Sequence, residues 1–316
     1  MITRREYLKL SALAGLALAI NPRLLLADDS PRQIITRAIP GTSEQLPMVG
    51  LGSSASFSRI AGEGEVDRIR QVLEALVQHG GSVFDTAPSY GAAEQVAGNV
   101  ARDTGLAERI FWATKLNVVP RGSEGGADPE AARAQVEQSF AHVGKDPIDL
   151  IQVHNMADVA TQLAVLKEFK QEGRVRYIGA TTTSSRTYDA LEQLMRSEPL
   201  DFIGVDYAVD NRTMEERIFP LAQERGIGVL VYAPFGRTRL WEQVEGQQVP
   251  EWAAEYDIAT WGQFFLKFVI SHPAVTVATP ATSRPEHMID NLGAATGRLP
   301  DAATRQRMIE HIDSLG

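Results

Sequence analysis

Eight short apolar runs recur along the chain, each followed by a helical pattern, and this alternation limits the possible folds more than any other feature. The runs occupy residues 48–51, 82–84, 110–113, 150–153, 177–180, 202–205, 228–231 and 275–278. Each is rich in β-branched or aromatic residues and apolar at successive positions, as a parallel strand covered on both faces should be. Between them lie amphipathic stretches. Val66, Ile69, Val72, Leu73 and Leu76 share a helical face ahead of Gly80-Gly81, and Leu163, Leu166 and Phe169 do so ahead of Gly173. Asp128-Pro129-Glu130 predicts a helix start with Asp as N-cap, and Ser283-Arg284-Pro285-Glu286 predicts a capping box. The whole pattern predicts an α/β chain folded as a (β/α)8 TIM barrel. A chain of 316 residues, 44% of them hydrophobic, suffices to bury one such core. Residues 34–39 and 46–51, on either side of Pro40-Gly41-Thr42, predict a short N-terminal β-hairpin. No Gly-x-Gly-x-x-Gly stands at a strand-to-helix turn, which argues against a Rossmann domain.

The first 27 residues follow a different rule. A basic start, Thr3-Arg4-Arg5-Glu6-Tyr7-Leu8-Lys9, leads into a small, apolar run over residues 10–20 and then into Leu24-Leu25-Leu26-Ala27-Asp28. That is the layout of a signal peptide, and the arginine pair resembles the twin-arginine export signal. Asn21, Pro22 and Arg23 stop the apolar run short of the roughly 20 residues that a bilayer span requires. Residues 1–27 are therefore expected to be a twin-arginine signal peptide read by the Tat export machinery, and 28–316 the barrel, exported to the periplasm without a membrane span. The absence of cysteine excludes a lipoprotein anchor and disulfides, and agrees with a passenger that folds in the reducing cytosol. A formal charge of −9, more negative once the basic leader is removed, excludes nucleic acid and anionic lipid as partners.

At the ends of seven of the eight runs stand single polar or aromatic groups: Asp85, Lys115, His154, Thr181, Asp206, Tyr232 and Thr279. In a barrel these converge on the C-terminal mouth. Each alone has a bland explanation as a cap, a solvated strand end or a packed core group. Together they bring a carboxylate, an ammonium, an imidazole and a phenol to one end of the fold.

These residues carry a family resemblance. Phe84-Asp85-Thr86-Ala87-Pro88-Ser89-Tyr90-Gly91-Ala92-Ala93-Glu94 is similar to the Asp-Thr-Ala…Tyr-Gly…Glu signature of the aldo-keto reductases. Ala113-Thr114-Lys115 resembles that family's lysine strand and Asp149-Leu150-Ile151-Gln152-Val153-His154 its histidine strand. The resemblance, running from about Met48 to Asn291, implies hydride transfer between a nicotinamide dinucleotide and a carbonyl or alcohol. It implies a catalytic tetrad of Asp85, Tyr90, Lys115 and His154, with no metal. Hydride arriving at a carbonyl leaves an alkoxide that needs a proton, and Tyr90 is the expected donor. An ammonium nearby would draw the phenol below its ordinary pKa of about 10 until burial opposes it. Asp85 would hold Lys115 charged, and a neutral His154 would orient the carbonyl oxygen.

On the cofactor side the resemblance implies contacts from Gly52, Ser53, Thr181, Thr182 and Asp206, and from Tyr232 as an aromatic platform. Ala233, Pro234, Phe235, Gly236 and Arg237 would follow the pyrophosphate. Thr279, Thr282, Ser283, Arg284, His287 and Asn291 would form an adenosine-phosphate site at a helix N-terminus. Ala281 and His287 stand where many members carry Lys and Arg, and Thr181-Thr182 and Gly204 stand where the nicotinamide amide is usually held. NADP(H) is expected, with Arg284 as its phosphate partner, and NAD(H) is the alternative. A small carbonyl or alcohol substrate, a roomy pocket with Phe57, Phe235, Trp241 and Trp252 as candidates for an apolar wall, and a monomer are also expected. The competing readings are a dinucleotide-binding redox sensor or regulatory subunit with little turnover, and a cofactor-free lyase or hydrolase.

Overall fold

The structure, a computed structural model, describes residues 33–119 and 125–316. The signal peptide expected over residues 1–27 lies outside the described residues. The chain opens with an antiparallel hairpin, β1 (Thr36–Ala38) and β2 (Gln45–Pro47), in which Arg37 pairs with Leu46. Pairing runs one step past Pro47, where Met48 N–H donates to the Ile35 carbonyl at 3.2 Å, and the chain then leaves the hairpin. The expected second arm over 46–51 is accordingly divided, its last part belonging to the barrel.

Eight parallel strands follow: β3 (Leu51–Gly52), β4 (Val83–Asp85), β5 (Phe111–Leu116), β6 (Ile148–Val153), β7 (Val175–Thr182), β8 (Phe202–Asp206), β9 (Gly228–Tyr232) and β10 (Val277–Ala278). Each pairs with the next in chain order. The ring is closed between first and last by parallel bridges from Val49 to Ala278 and from Gly52 to Ala281. Gly50 N–H donates to the Ala278 carbonyl at 2.9 Å, and Ala278 N–H to the Met48 carbonyl at 2.9 Å. All eight runs seen in the sequence thus become barrel strands. The helices are α1 (Ser56–Gly62), α2 (Val66–Gln78), α3 (Ala93–Asp103), α4 (Pro129–Val143), α5 (Val159–Gln171), α6 (Tyr188–Ser197), α7 (Ile218–Arg225), α8 (Arg239–Gln243), α9 (Trp261–Ile270), α10 (Pro285–Gly293) and α11 (Ala302–Asp313).

The period of two along each strand sorts side chains between two cores. Val83, Phe111, Ala113, Leu150, Phe202, Leu230 and Val277 fill the barrel interior, and Ile39 and Leu46 of the hairpin pack into the same cluster. Their strand neighbours Phe84, Trp112, Ile151, Ile203 and Val229 face outward into the larger sleeve beneath the helices. The same alternation continues the inward rows of β4, β5 and β6 through Asp85, Lys115 and Gln152, so the top of the barrel interior is polar where its middle is apolar.

Helix starts follow their sequence signals in one case and not in the other. Asp128 caps α4, accepting from Glu130 N–H at 2.9 Å, with Pro129 in the first turn. Such a cap contributes about 1 kcal/mol. The capping box expected at Ser283–Glu286 does not form, because the N-cap of α10 is Arg284. Pro285 drives its predecessor into the extended region, moving the cap one residue on, and Thr282 Oγ1 instead accepts from Arg284 N–H at 3.1 Å.

Candidate active site

Residues from three strand ends and one loop meet at the C-terminal mouth. Lys115 Nζ donates to Asp85 Oδ2 at 2.7 Å and to the Thr86 carbonyl at 2.8 Å, and the two charged side chains are only 2% and 3% exposed. At that burial an unpaired charge would neutralise itself, so each group depends on the other. Burial raises the Asp85 pKa against the opposing pull of Lys115. For Lys115, burial works against the charge, but Asp85 and Tyr90 outweigh it and the ammonium is held above its ordinary pKa.

Tyr90 sits over this pair, with Lys115 Nζ 5.0 Å from its ring centroid. His154, directly after β6, meets Tyr90 edge to face with ring centroids 5.8 Å apart. Ser89 Oγ lies 3.5 Å from His154 Nδ1. The structure therefore brings Asp85, Tyr90, Lys115 and His154 together from three strands and a loop. The acidity of Tyr90 differs from expectation: burial raises its pKa by more than Lys115 lowers it, with Asp85 adding to the rise and Arg237 opposing it. The phenol is protonated at rest, and the lysine limits the cost of its ionisation.

A cleft of about 1180 Å³ opens above these residues. Asp85, Tyr90 and His154 border it, as do Gly52, Thr181, Tyr232, Ala233, Pro234, Phe235, Arg237 and Thr279 among the expected cofactor residues. Lys115 lies beneath the floor. Ala233, Gly236 and Arg237 all have positive φ, so the loop after β9 turns sharply, and Arg237 Nη2 reaches across to Thr183 Oγ1 at 3.3 Å.

The remaining expected cofactor residues do not border the cleft. Ser53 is fully buried, donating its N–H to the Asp85 carbonyl at 2.9 Å. Thr182 Oγ1 is engaged by Ser184 N–H at 3.0 Å and by Thr187 Oγ1 at 2.6 Å. The Asp206 carboxylate receives the Tyr188 hydroxyl at 2.7 Å and Asn211 Nδ2 at 2.8 Å, a local clamp between β8 and its neighbours. Gly236, Thr282, Ser283, Arg284, His287 and Asn291 stand outside the lining as well; Arg284 and His287 are exposed at the start of α10, and Asn291 is buried. Of the aromatic wall candidates, Phe235 and Trp241 line the cleft, whereas Phe57 is fully buried against Phe84 and Trp252 packs on Phe264.

Sequence reasoning missed the segment after β3, where Ser54 in the loop and Ser56, Ser58 and Arg59 in α1 border the cleft. It also gave no role to Gln152, whose amide lies inside the barrel and donates to the Tyr232 hydroxyl at 3.0 Å. A signal was present: Gln152 interrupts an apolar run at the same parity as Leu150 and His154.

A closed parallel barrel with a phenol, an ammonium, a carboxylate and an imidazole gathered at its C-terminal mouth defines a class of α/β enzyme folds, and comparison narrows it. Residues 49–307 match the family model described as the aldo/keto reductase family, so the chain belongs to that family. It is 30% identical over 234 residues to the NADH-specific methylglyoxal reductase of Escherichia coli, covering 66% of this chain and 70% of that protein. It is 25% identical over 284 residues to the aldo-keto reductase str7 of Strobilurus tenacellus, covering 79% and 82%. Among solved structures it resembles an aldo-keto reductase from Klebsiella pneumoniae in complex with NADPH, with a TM-score of 0.72, 23% identity and coverage of 89% and 96%. The holo form of aldo-keto reductase AKR11C1 from Bacillus halodurans gives a TM-score of 0.69 at 24% identity, with the same coverage.

Proposed function

We propose that this aldo/keto reductase reduces aldehyde or ketone groups, or oxidises the corresponding alcohols, with Tyr90 as general acid and base. The observation that carries the reading is the Lys115–Asp85 pair buried directly beneath Tyr90 and beside His154. Lys115 is fixed by two hydrogen bonds and cannot follow solvent, so its charge acts on whatever proton Tyr90 gives up. His154, edge to face with Tyr90, would orient the carbonyl oxygen that Tyr90 protonates.

The residues present fit a nicotinamide dinucleotide. The cleft exceeds the roughly 300–1,000 Å³ that holds drug-sized ligands. The Tyr232 ring borders it at the tetrad end and Arg237 supplies a cation along it, with Arg284 and His287 beyond Thr279, Pro280 and Ala281. Bound there, the dinucleotide would supply or accept the hydride. The K. pneumoniae neighbour holds NADPH and the E. coli relative is NADH-specific; the exposed guanidinium of Arg284 supports NADP(H) for this chain. Arg284→Ala is expected to weaken NADPH binding about tenfold and leave NADH binding unchanged, read by fluorescence titration. Equal loss for both dinucleotides would remove the 2′-phosphate from the argument.

Steady-state oxidation of NADPH with a panel of aldehydes, ketones and quinones, set beside a single-turnover measurement, tests the activity. Repeated turnover supports the reductase, whereas one slow turnover without release supports a redox sensor. The leader belongs to the same proposal: folding with dinucleotide in the cytosol precedes twin-arginine export to the periplasm. Replacing Arg4 and Arg5 by Lys together is expected to retain the precursor in the cytosol, as seen by cell fractionation; unchanged export would refute that route.

A further inference from the structure

The polar layer at the top of the barrel includes a hydroxyl from outside the tetrad, that of Tyr232. Tyr232 ends β9 with its hydroxyl donating to Asp85 Oδ1 at 3.2 Å, while Lys115 holds the other oxygen, Oδ2, at 2.7 Å. The same hydroxyl accepts from Gln152 Nε2 at 3.0 Å, and Gln152 is fully buried. Lys115 Nζ lies 5.0 Å from the Tyr232 ring centroid, the same distance as from Tyr90, so the ammonium is held between two phenol rings. The arrangement depends on an absence. A Cβ at Gly204 would fall 2.4 Å from Tyr232 Cε2 and 2.6 Å from its hydroxyl, so any side chain there would displace the ring from Asp85.

We propose that Tyr232 is a positioning residue whose hydroxyl, aimed by Gln152 and admitted by the missing side chain at Gly204, fixes Asp85 and through it Lys115 beneath Tyr90. This rests on the proposed reductase chemistry and extends the tetrad by an inner relay, Gln152 to Tyr232 to Asp85. The bond from Tyr232 spreads part of the Asp85 charge. Without it, Lys115 and Tyr90 face the full carboxylate, which opposes ionisation of Tyr90 and leaves the ammonium less well aimed.

Tyr232→Phe separates this role from that of a flat surface for a ligand, because it keeps the ring and removes only the hydroxyl. Expected are a fall in kcat of about tenfold, a basic limb of the pH–rate profile displaced to higher pH, and an unchanged dinucleotide Kd. Gly204→Ala is expected to reproduce the kinetic change, and the two effects to be less than additive in the double variant. A second readout needs no turnover: in ligand-free protein with 13Cζ-labelled tyrosine, the Tyr90 resonance, assigned with Tyr90→Phe, should shift and titrate at higher pH in Tyr232→Phe. A Tyr90 resonance and titration superimposable on wild type would overturn the proposal even in an active enzyme. A displaced resonance in a protein that reduces no carbonyl would uphold the relay and sink the reductase reading instead.

Discussion

Tyr90→Phe is expected to lower kcat for carbonyl reduction by about 10²- to 10⁴-fold while dinucleotide binding and Tm stay close to wild type. The change removes one hydroxyl and little else. Lys115 keeps its bonds to Asp85 and the Thr86 carbonyl, and the ring keeps its edge-to-face contact with His154. The pH dependence gives a second check. Burial outweighs Lys115 and sets the Tyr90 pKa above that of an ordinary phenol, so the donor is protonated throughout the neutral range. Reduction, which needs the proton, should be level there and decline only on the alkaline side; alcohol oxidation, which needs the phenolate, should rise with pH. Both limbs should vanish from the residual activity of Tyr90→Phe. Wild-type-like turnover by that variant in stopped-flow assays would remove Tyr90 from the chemistry.

The sequence disclosed those features that depend on one strand at a time. Alternating apolar runs located all eight barrel strands, and the single polar groups at their ends marked Asp85, Lys115 and His154 for the C-terminal mouth. What it could not disclose depends on register between strands. Gly204 lies beside Thr181 on one flank and Leu230 on the other, and only that placement shows its empty volume to be filled by Tyr232. Asp206 shares the inward parity of Gly204, yet Tyr188 and Asn211 draw its carboxylate aside. No pattern local to β8 contains either partner as a signal. The acidity of Tyr90 was misjudged for a related reason: the attraction of a neighbouring lysine can be estimated from types alone, but the opposing cost of burial requires the packed structure.

Lys115→Met tests the same centre through stability. Methionine matches much of the lysine volume, so the loss is one of charge rather than packing. Asp85, 3% exposed, would be left with the Tyr232 hydroxyl as its remaining side-chain donor among the described bonds. Removing one partner of a buried pair costs about 3–5 kcal/mol. Turnover should also fall by several orders of magnitude, since of the two cations that favour charge on Tyr90 only Arg237, the weaker, then remains. The sign with pH follows from Asp85. Burial already raises its pKa, and without Lys115 the folded-state value rises further above that of the unfolded chain. A carboxyl with a raised folded pKa favours folding when protonated, so the stability deficit of the variant should be smallest in acid, grow as pH rises to the raised folded pKa of Asp85, and then level off. Asp85→Asn added to Lys115→Met removes the stranded charge. The double variant should regain most of the lost stability, lose the deficit that grows with pH, and remain inactive. Urea denaturation of the single and double variants at several pH values measures the first two, and a turnover assay of the double variant the third. A single variant as stable as wild type at neutral pH would mean that Asp85 and Lys115 do not form a buried ion pair, and the electrostatic basis assigned to Tyr90 would fall with it.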